Sequence, residues 1–131
     1  MEKIKRIILV LLVLCIGCVG ENTVVLSGTF KAEGSKSGPE MMKASLIIDV
    51  EKERFIFSYD SLSSYLSEGS YVIDEDVLTA KTSDGRFVYL FNVIDSETLV
   101  FVEEGSTDVK VIDDRFGEAI KNGMRLIKTK E

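Results

Sequence analysis

The sequence predicts an all-β fold, an antiparallel up-and-down meander closing into a small barrel of seven or eight strands, with a short helical turn near the C-terminus. Three observations carry that expectation. Short runs with apolar residues at every second position recur between residues 24 and 128, the pattern of strands that bury one face. Turn residues separate these runs at short intervals, most clearly at Ser83-Asp84-Gly85, where glycine accepts the positive φ of a tight hairpin. With 131 residues the chain is of one-domain length. A meander this small removes its exposed edges by closing on itself.

The elements follow in order. Residues 24–32 form the first expected strand, and 33–42, with Gly34, Gly38 and the single proline Pro39, a polar loop. Residues 43–49 and 54–60 make a hairpin across 50–53, with Phe55, Phe57 and Tyr59 on one face. The serine-rich stretch 60–69 reads as a loop or a short helical turn, with Gly69 as the turn or bulge residue that lets the next strand begin. Residues 71–74 and 77–81 turn at Asp74-Glu75-Asp76. After the Asp-Gly turn, 86–94 alternates Phe87, Tyr89, Phe91 and Val93 against Val88 and Leu90, and turns into 98–103. Residues 114–122 read as one or two helical turns, with Asp113 or Asp114 near the N-cap and Gly123 just past the end. Residues 124–128 are the last strand. The expected core is Phe30, Phe55, Phe57, Tyr71, Tyr89, Phe91 and Phe101. An eight-stranded barrel is wide enough either to be filled by such side chains or to hold a small ligand between them. Val88, Leu90, Val100 and Val102 on the opposite faces are covered by the C-terminal segment or form a docking patch.

The N-terminus has the form of an export signal. Lys3, Lys5 and Arg6 outweigh Glu2, and residues 7–16 are an unbroken apolar run. That run is about half of the roughly 20 residues a membrane-spanning helix needs. Gly17, Cys18 and a polar onset follow; the arrangement resembles a lipobox, with Cys15 where leucine is usual. The resemblance implies that the Cys18 sulfur carries a diacylglyceryl group and that cleavage makes it the first residue. The alternative is an ordinary secretory signal with incidental cysteines. The expected division is therefore 1–17 signal peptide, 18–23 lipidated cysteine and tether, and 24–131 barrel domain. Two or more acyl chains hold a protein stably on a membrane, and the short tether keeps the barrel close to it.

Composition excludes much chemistry. The chain has no histidine, which removes Ser-His and Cys-His nucleophilic machinery and the commonest transition-metal ligand. Its two cysteines, Cys15 and Cys18, leave the remainder without a disulfide or thiolate zinc site. Lys81-Thr82-Ser83 has no Ser-x-x-Lys partner of the penicillin-binding type. The acidic clusters at 74–76, 95–97 and 113–114 lack the spacing of a calcium loop. No catalytic residue, metal site or cofactor is expected. Without residues 1–17 the chain has thirteen cationic and twenty-one anionic side chains, a net charge of −8. Such a surface repels nucleic acid and anionic lipid; it serves solubility or favours a basic partner.

Phe55-Ile56-Phe57-Ser58-Tyr59, Leu62-Ser63-Ser64-Tyr65, Gly69-Ser70-Tyr71, Leu78, Thr82-Ser83-Asp84-Gly85-Arg86, Tyr89-Leu90-Phe91 and Thr98-Leu99-Val100-Phe101 follow one another in the chain. In that order they resemble a small domain of Gram-positive bacteria. The domain occurs alone as a lipoprotein and as the extracytoplasmic tail of membrane metallopeptidases of the β-lactam-sensing regulator type. The resemblance covers about half the chain. It implies a calycin-like or lipocalin-like barrel with an accessory or sensing role and no activity of its own. The zinc site of those peptidases lies in another domain, and no His-Glu-x-x-His occurs here. The match ends after Gly105, and Lys121-Asn122-Gly123 stands where related chains have Pro-Asp-Gly, so how the sheet closes is left open.

The expected function is that of a lipid-anchored accessory, interaction or sensing module on the extracytoplasmic face of the cell membrane, without catalytic activity. Its expected partners are the membrane, through the lipid on Cys18, and a membrane-surface protein; nucleic acid is not among them. The alternative is a lipocalin-like barrel that binds a small ligand at the membrane surface, with 60–69 as its lid. An enzyme, most plausibly a carboxylate-based hydrolase, ranks last. The candidate contact residues are Ser61, Ser63, Ser64, Tyr65, Tyr71 and Tyr89, whose hydroxyls can rim a barrel mouth or satisfy their own loop backbone.

Overall fold

In the computed structural model, residues 25–33, 43–60, 64–112 and 119–130 are described. The expectations placed on the signal, on Cys18 and its tether, and on Ser61 and Ser63 lie outside these residues. Eight strands form: β1 (Gly28–Ala32), β2 (Ser45–Asp49), β3 (Arg54–Ser58), β4 (Ser67–Asp74), β5 (Val77–Thr82), β6 (Val88–Asp95), β7 (Thr98–Val102) and β8 (Arg125–Lys128). Each pairs antiparallel with the next, and β8 pairs with both β7 and β1. The result is a closed up-and-down barrel, compatible with a lipocalin-like fold. The closure that the sequence left open is made by Phe30↔Lys128 and Ala32↔Leu126 on one side of β8 and by Leu99↔Leu126 on the other.

Alternation does the sorting. Phe55 and Phe57 on β3, Leu78 and Ala80 on β5, Tyr89, Phe91 and Val93 on β6, and Leu99 and Phe101 on β7 all point inward and are buried. Their rings touch in series: Phe91 lies 5.6 Å from Phe101 and 5.6 Å from Phe57, and Phe57 lies 4.8 Å from Tyr89, all at steep angles. Burying one such side chain contributes about 1.5–3 kcal/mol, and edge-to-face pairs add about 0.5–1.5 kcal/mol. Of the expected core residues only Tyr71 is half-buried, packed against the cluster from its margin.

The two ends of the barrel differ. One carries the tight turns at 50–53, 75–76 and 96–97, together with the start of β1 and the end of β8. The other carries the four longer connections. The β4–β5 turn is a two-residue hairpin with positive φ at both Glu75 (50°) and Asp76 (62°), the type I′ geometry whose twist matches the strands. The Asp-Gly turn is also where expected, although its loop runs over five residues, with Gly85 at φ 75°.

Two expectations need correction, and a third is mostly outside the described residues. β4 begins at Ser67, so Gly69 sits within the strand and does not precede it. A Cβ there would overlap the Lys81 carbonyl oxygen and lie 2.8 Å from Thr82 Cα; the glycine permits β4 and β5 to approach. Residues 25–27, expected in β1, precede it, because the β1 pairing with β2 starts at Gly28. The helical turn expected at 114–122 falls mostly on 113–118, outside the described residues; 119–122 are irregular, and no helix occurs among the described residues.

The outer faces of β6 and β7 are covered in part by the chain that follows β7. Thr107 N–H donates to the Val88 carbonyl at 2.7 Å, and Val88 N–H donates to Thr107 Oγ1 at 2.9 Å. Leu90 N–H donates to Ser106 Oγ at 2.8 Å, and Ser106 Oγ donates in turn to the Val102 carbonyl. Residues 106–107 thus act as a strand substitute where β7 ends, and leave Val88, Leu90 and Val102 half-buried.

Candidate functional site

Of the candidate contact residues, Ser64, Tyr65, Tyr71 and Tyr89 are described. The structure joins Tyr65 and Tyr89 and sets Tyr71 apart. Tyr89 is inside the barrel, fully buried, with its hydroxyl 3.1 Å from Ser67 Oγ and hydrogen-bonded to Tyr59 as well. Burial, more than any neighbour, pushes its phenol well above the usual range, so the hydroxyl stays protonated. Ser64 is exposed.

Tyr65 stands at the loop end, where the aromatic series reaches the surface. Its ring lies 5.0 Å from Phe87, which stacks on Tyr89 at 6.5 Å. The Arg86 guanidinium lies 5.4 Å from the Tyr65 ring and 5.3 Å from the Phe87 ring, a cation–π contact with each. Tyr65 donates its hydroxyl proton to Asp84 Oδ2 at 2.8 Å. Asp84 Oδ1 accepts from Thr82 Oγ1 at 2.8 Å and from the Arg86 backbone N–H at 3.0 Å. These donors, led by the Arg86 N–H, hold the Asp84 carboxyl below the usual carboxylate range. Desolvation raises the Tyr65 phenol, with Asp84 adding to the effect.

The chemistry of this cluster is that of a fastening. Each oxygen of Asp84 accepts a hydrogen bond, and burial raises both phenols, which keeps their hydroxyls protonated as donors. The cluster binds the end of the β3–β4 loop to the β5–β6 turn. A second tie, from Ile112 N–H to Asp60 Oδ2 at 2.8 Å, binds the start of the same loop to the segment after β7. Sequence reasoning found Tyr65 and Tyr89, and named Ser67 among the loop hydroxyls without its bond to Tyr89, but missed Thr82, Asp84, Arg86 and Phe87 as partners. The Thr82-to-Arg86 run signals only a turn; its contacts with Tyr65 are made by folding.

Tyr71 faces the tight-turn end instead. Burial raises its phenol, and the carboxylates of Glu53 and Asp49 raise it further. Two depressions lie on the outer surface here. One of about 540 Å³ is lined by Val25, Ile47, Ile48, Val50 and Glu51 among others. The other, about 320 Å³, shares Ile47 and Asp49 with it and continues across Lys52, Arg54, Ile56 and Glu68. Among the described residues no three acidic or cysteine side chains gather to hold a metal ion.

No family model matches the chain, and comparison with curated proteins and with solved structures likewise finds no match.

Proposed function

We propose that this chain is a lipid-anchored extracytoplasmic interaction or sensing module that works through its outer surface and carries no catalytic activity. The observation that carries the reading is the filled barrel. Phe57, Tyr89, Phe91 and Phe101 occupy the interior in mutual contact and are at most 2 % exposed. Recognition by this domain is therefore a matter of its loops and outer face, and a ligand held inside is the weaker alternative.

The anchor comes from the sequence: the charged start, the short apolar run and Gly17-Cys18. Its likeness to a Gram-positive lipoprotein domain, also found as a metallopeptidase tail, supports the same role. Six residues separate Cys18 from Val25, a reach of about 20 Å at roughly 3.3 Å per residue. Val25 leads into β1 at the tight-turn end.

The test is membrane fractionation of the native host with mass spectrometry of the N-terminal peptide, beside a Cys18→Ser variant. A diacylated Cys18 peptide in the membrane fraction, with the variant lost from it, is the expected result. Wild type and variant distributing alike, with no lipid on Cys18, would sink the proposal.

A further inference from the structure

A closed barrel has no free edge along most of its length, but this one has a short opening at the tight-turn end. β3 begins at Arg54, which pairs with Ser70, whereas β4 continues to Asp74. Residues 71–74 therefore pair with β5 alone. The direction of their backbone groups follows from the hairpin. A type I′ turn closes on a hydrogen-bonded pair, here Asp74↔Val77, and such pairs alternate along an antiparallel ladder. Asp74, Val72, Ser70 and Glu68 thus bond to the β5 side. Ser83 N–H donating to the Glu68 carbonyl at 3.0 Å agrees with that parity. The N–H and C=O groups of Tyr71 and Ile73 point the other way, where β3 has ended.

The edge also has apolar flanks and a charge. Val72 is 65 % exposed and Ile73 42 % exposed, on opposite faces of the same strand. Around them stand Asp74, Glu75 and Asp76 at the hairpin tip and Asp49 and Glu53 beside Tyr71, against Lys52 and Lys81. We propose that the Tyr71 and Ile73 backbone is a strand-addition site for an extended segment of another polypeptide that alternates basic and apolar residues. Backbone pairing supplies the register, the apolar side chains of the segment lie on one face against Ile73, and its basic side chains lie on the other, where the surrounding carboxylates, Asp74 on that face among them, select them. A second copy of the chain is disfavoured, because it would bring the same carboxylates against themselves. An anionic lipid surface is disfavoured for the same reason. The proposal deepens the interaction-module reading and rests on it for the partner's being a polypeptide.

The probe is a fluorescein-labelled hexapeptide of alternating lysine and valine, titrated by anisotropy against the full protein in neutral detergent. Glutamate-valine and alternately N-methylated versions of the peptide serve as controls. The lysine peptide is expected to bind, more weakly as salt rises, and to slow hydrogen exchange at Tyr71 and Ile73. Ile73→Pro, which removes an outward-pointing N–H outside the ladder, is expected to weaken binding at least tenfold with thermal unfolding unchanged. Ile73→Val, which keeps the N–H and a branched apolar side chain, is expected to bind nearly as wild type. The N-methylated peptide is expected to fail, which tests backbone pairing independently of how the proline variant folds. Equal binding of the glutamate peptide, protection elsewhere in the chain, or self-association that Ile73→Pro abolishes would each overturn the proposal. No membrane takes part, so this outcome is separate from that of the Cys18→Ser fractionation.

Discussion

The hydroxyl of Tyr89 lies 3.1 Å from Ser67 Oγ, and both side chains are completely enclosed by the barrel. A buried hydroxyl without a partner costs about 1–3 kcal/mol, whereas removing both members of a pair costs much less. Tyr89→Phe is therefore expected to lower stability by about 1–2 kcal/mol. Adding Ser67→Ala to it is expected to restore part of that loss. Urea unfolding of the two single variants and the double variant checks this, and strict additivity would show that the two hydroxyls do not depend on each other.

Gly69→Ala tests the close approach of β4 and β5. The added methyl has backbone on its far side, the Lys81 carbonyl and Thr82 Cα, neither of which can rotate away. A loss of about 3 kcal/mol is expected, at the upper end for overpacking. Thermal unfolding measures it, and a shift no larger than that of an ordinary surface substitution would mean that the strands separate at little cost.

The same glycine shows what local pattern could reveal. Ser67-Glu68-Gly69-Ser70 has low strand propensity and reads as loop, yet it is β4, because β3 and β5 supply partners on both sides. The alternating aromatic strands at Phe55, Tyr89 and Phe101 were legible because one buried face imposes a period of two. Barrel closure by β8 and the overhang of β4 beyond β3 depend on register between distant segments, which no local signal encodes. The site divides in the same way. Asp84-Gly85 announces a turn, but the hydrogen bond from Tyr65, nineteen residues earlier, is made only when β4 and β5 pair.

The β4–β5 turn holds two non-glycine residues in the left-handed region, Glu75 and Asp76. Asn-Gly is the favoured pair for this geometry, since each adopts positive φ more easily. Glu75→Asn with Asp76→Gly is expected to stabilise the protein by about 1 kcal/mol. It is also expected to weaken binding of the lysine-valine peptide, because two of the five carboxylates are gone. Denaturant midpoints and the anisotropy titration read the two effects separately.

Asp84 links the Tyr65 fastening to pH. Its folded-state pKa is depressed, chiefly by the Arg86 N–H and then by the Thr82 and Tyr65 hydroxyls. A carboxyl of this kind contributes stability that is present above its unfolded pKa, about 3.9, and is lost as pH falls through the lower folded value. Asp84→Asn has no carboxylate to protonate, and its amide nitrogen cannot accept from Tyr65 in place of Oδ2. The variant is therefore expected to be less stable at neutral pH and to show a shallower fall in stability below about pH 4. Urea midpoints measured from neutral to strongly acid pH compare the two slopes. Equal slopes would mean that protonating Asp84 leaves the fastening intact, and that the acid sensitivity of the fold comes from other carboxylates.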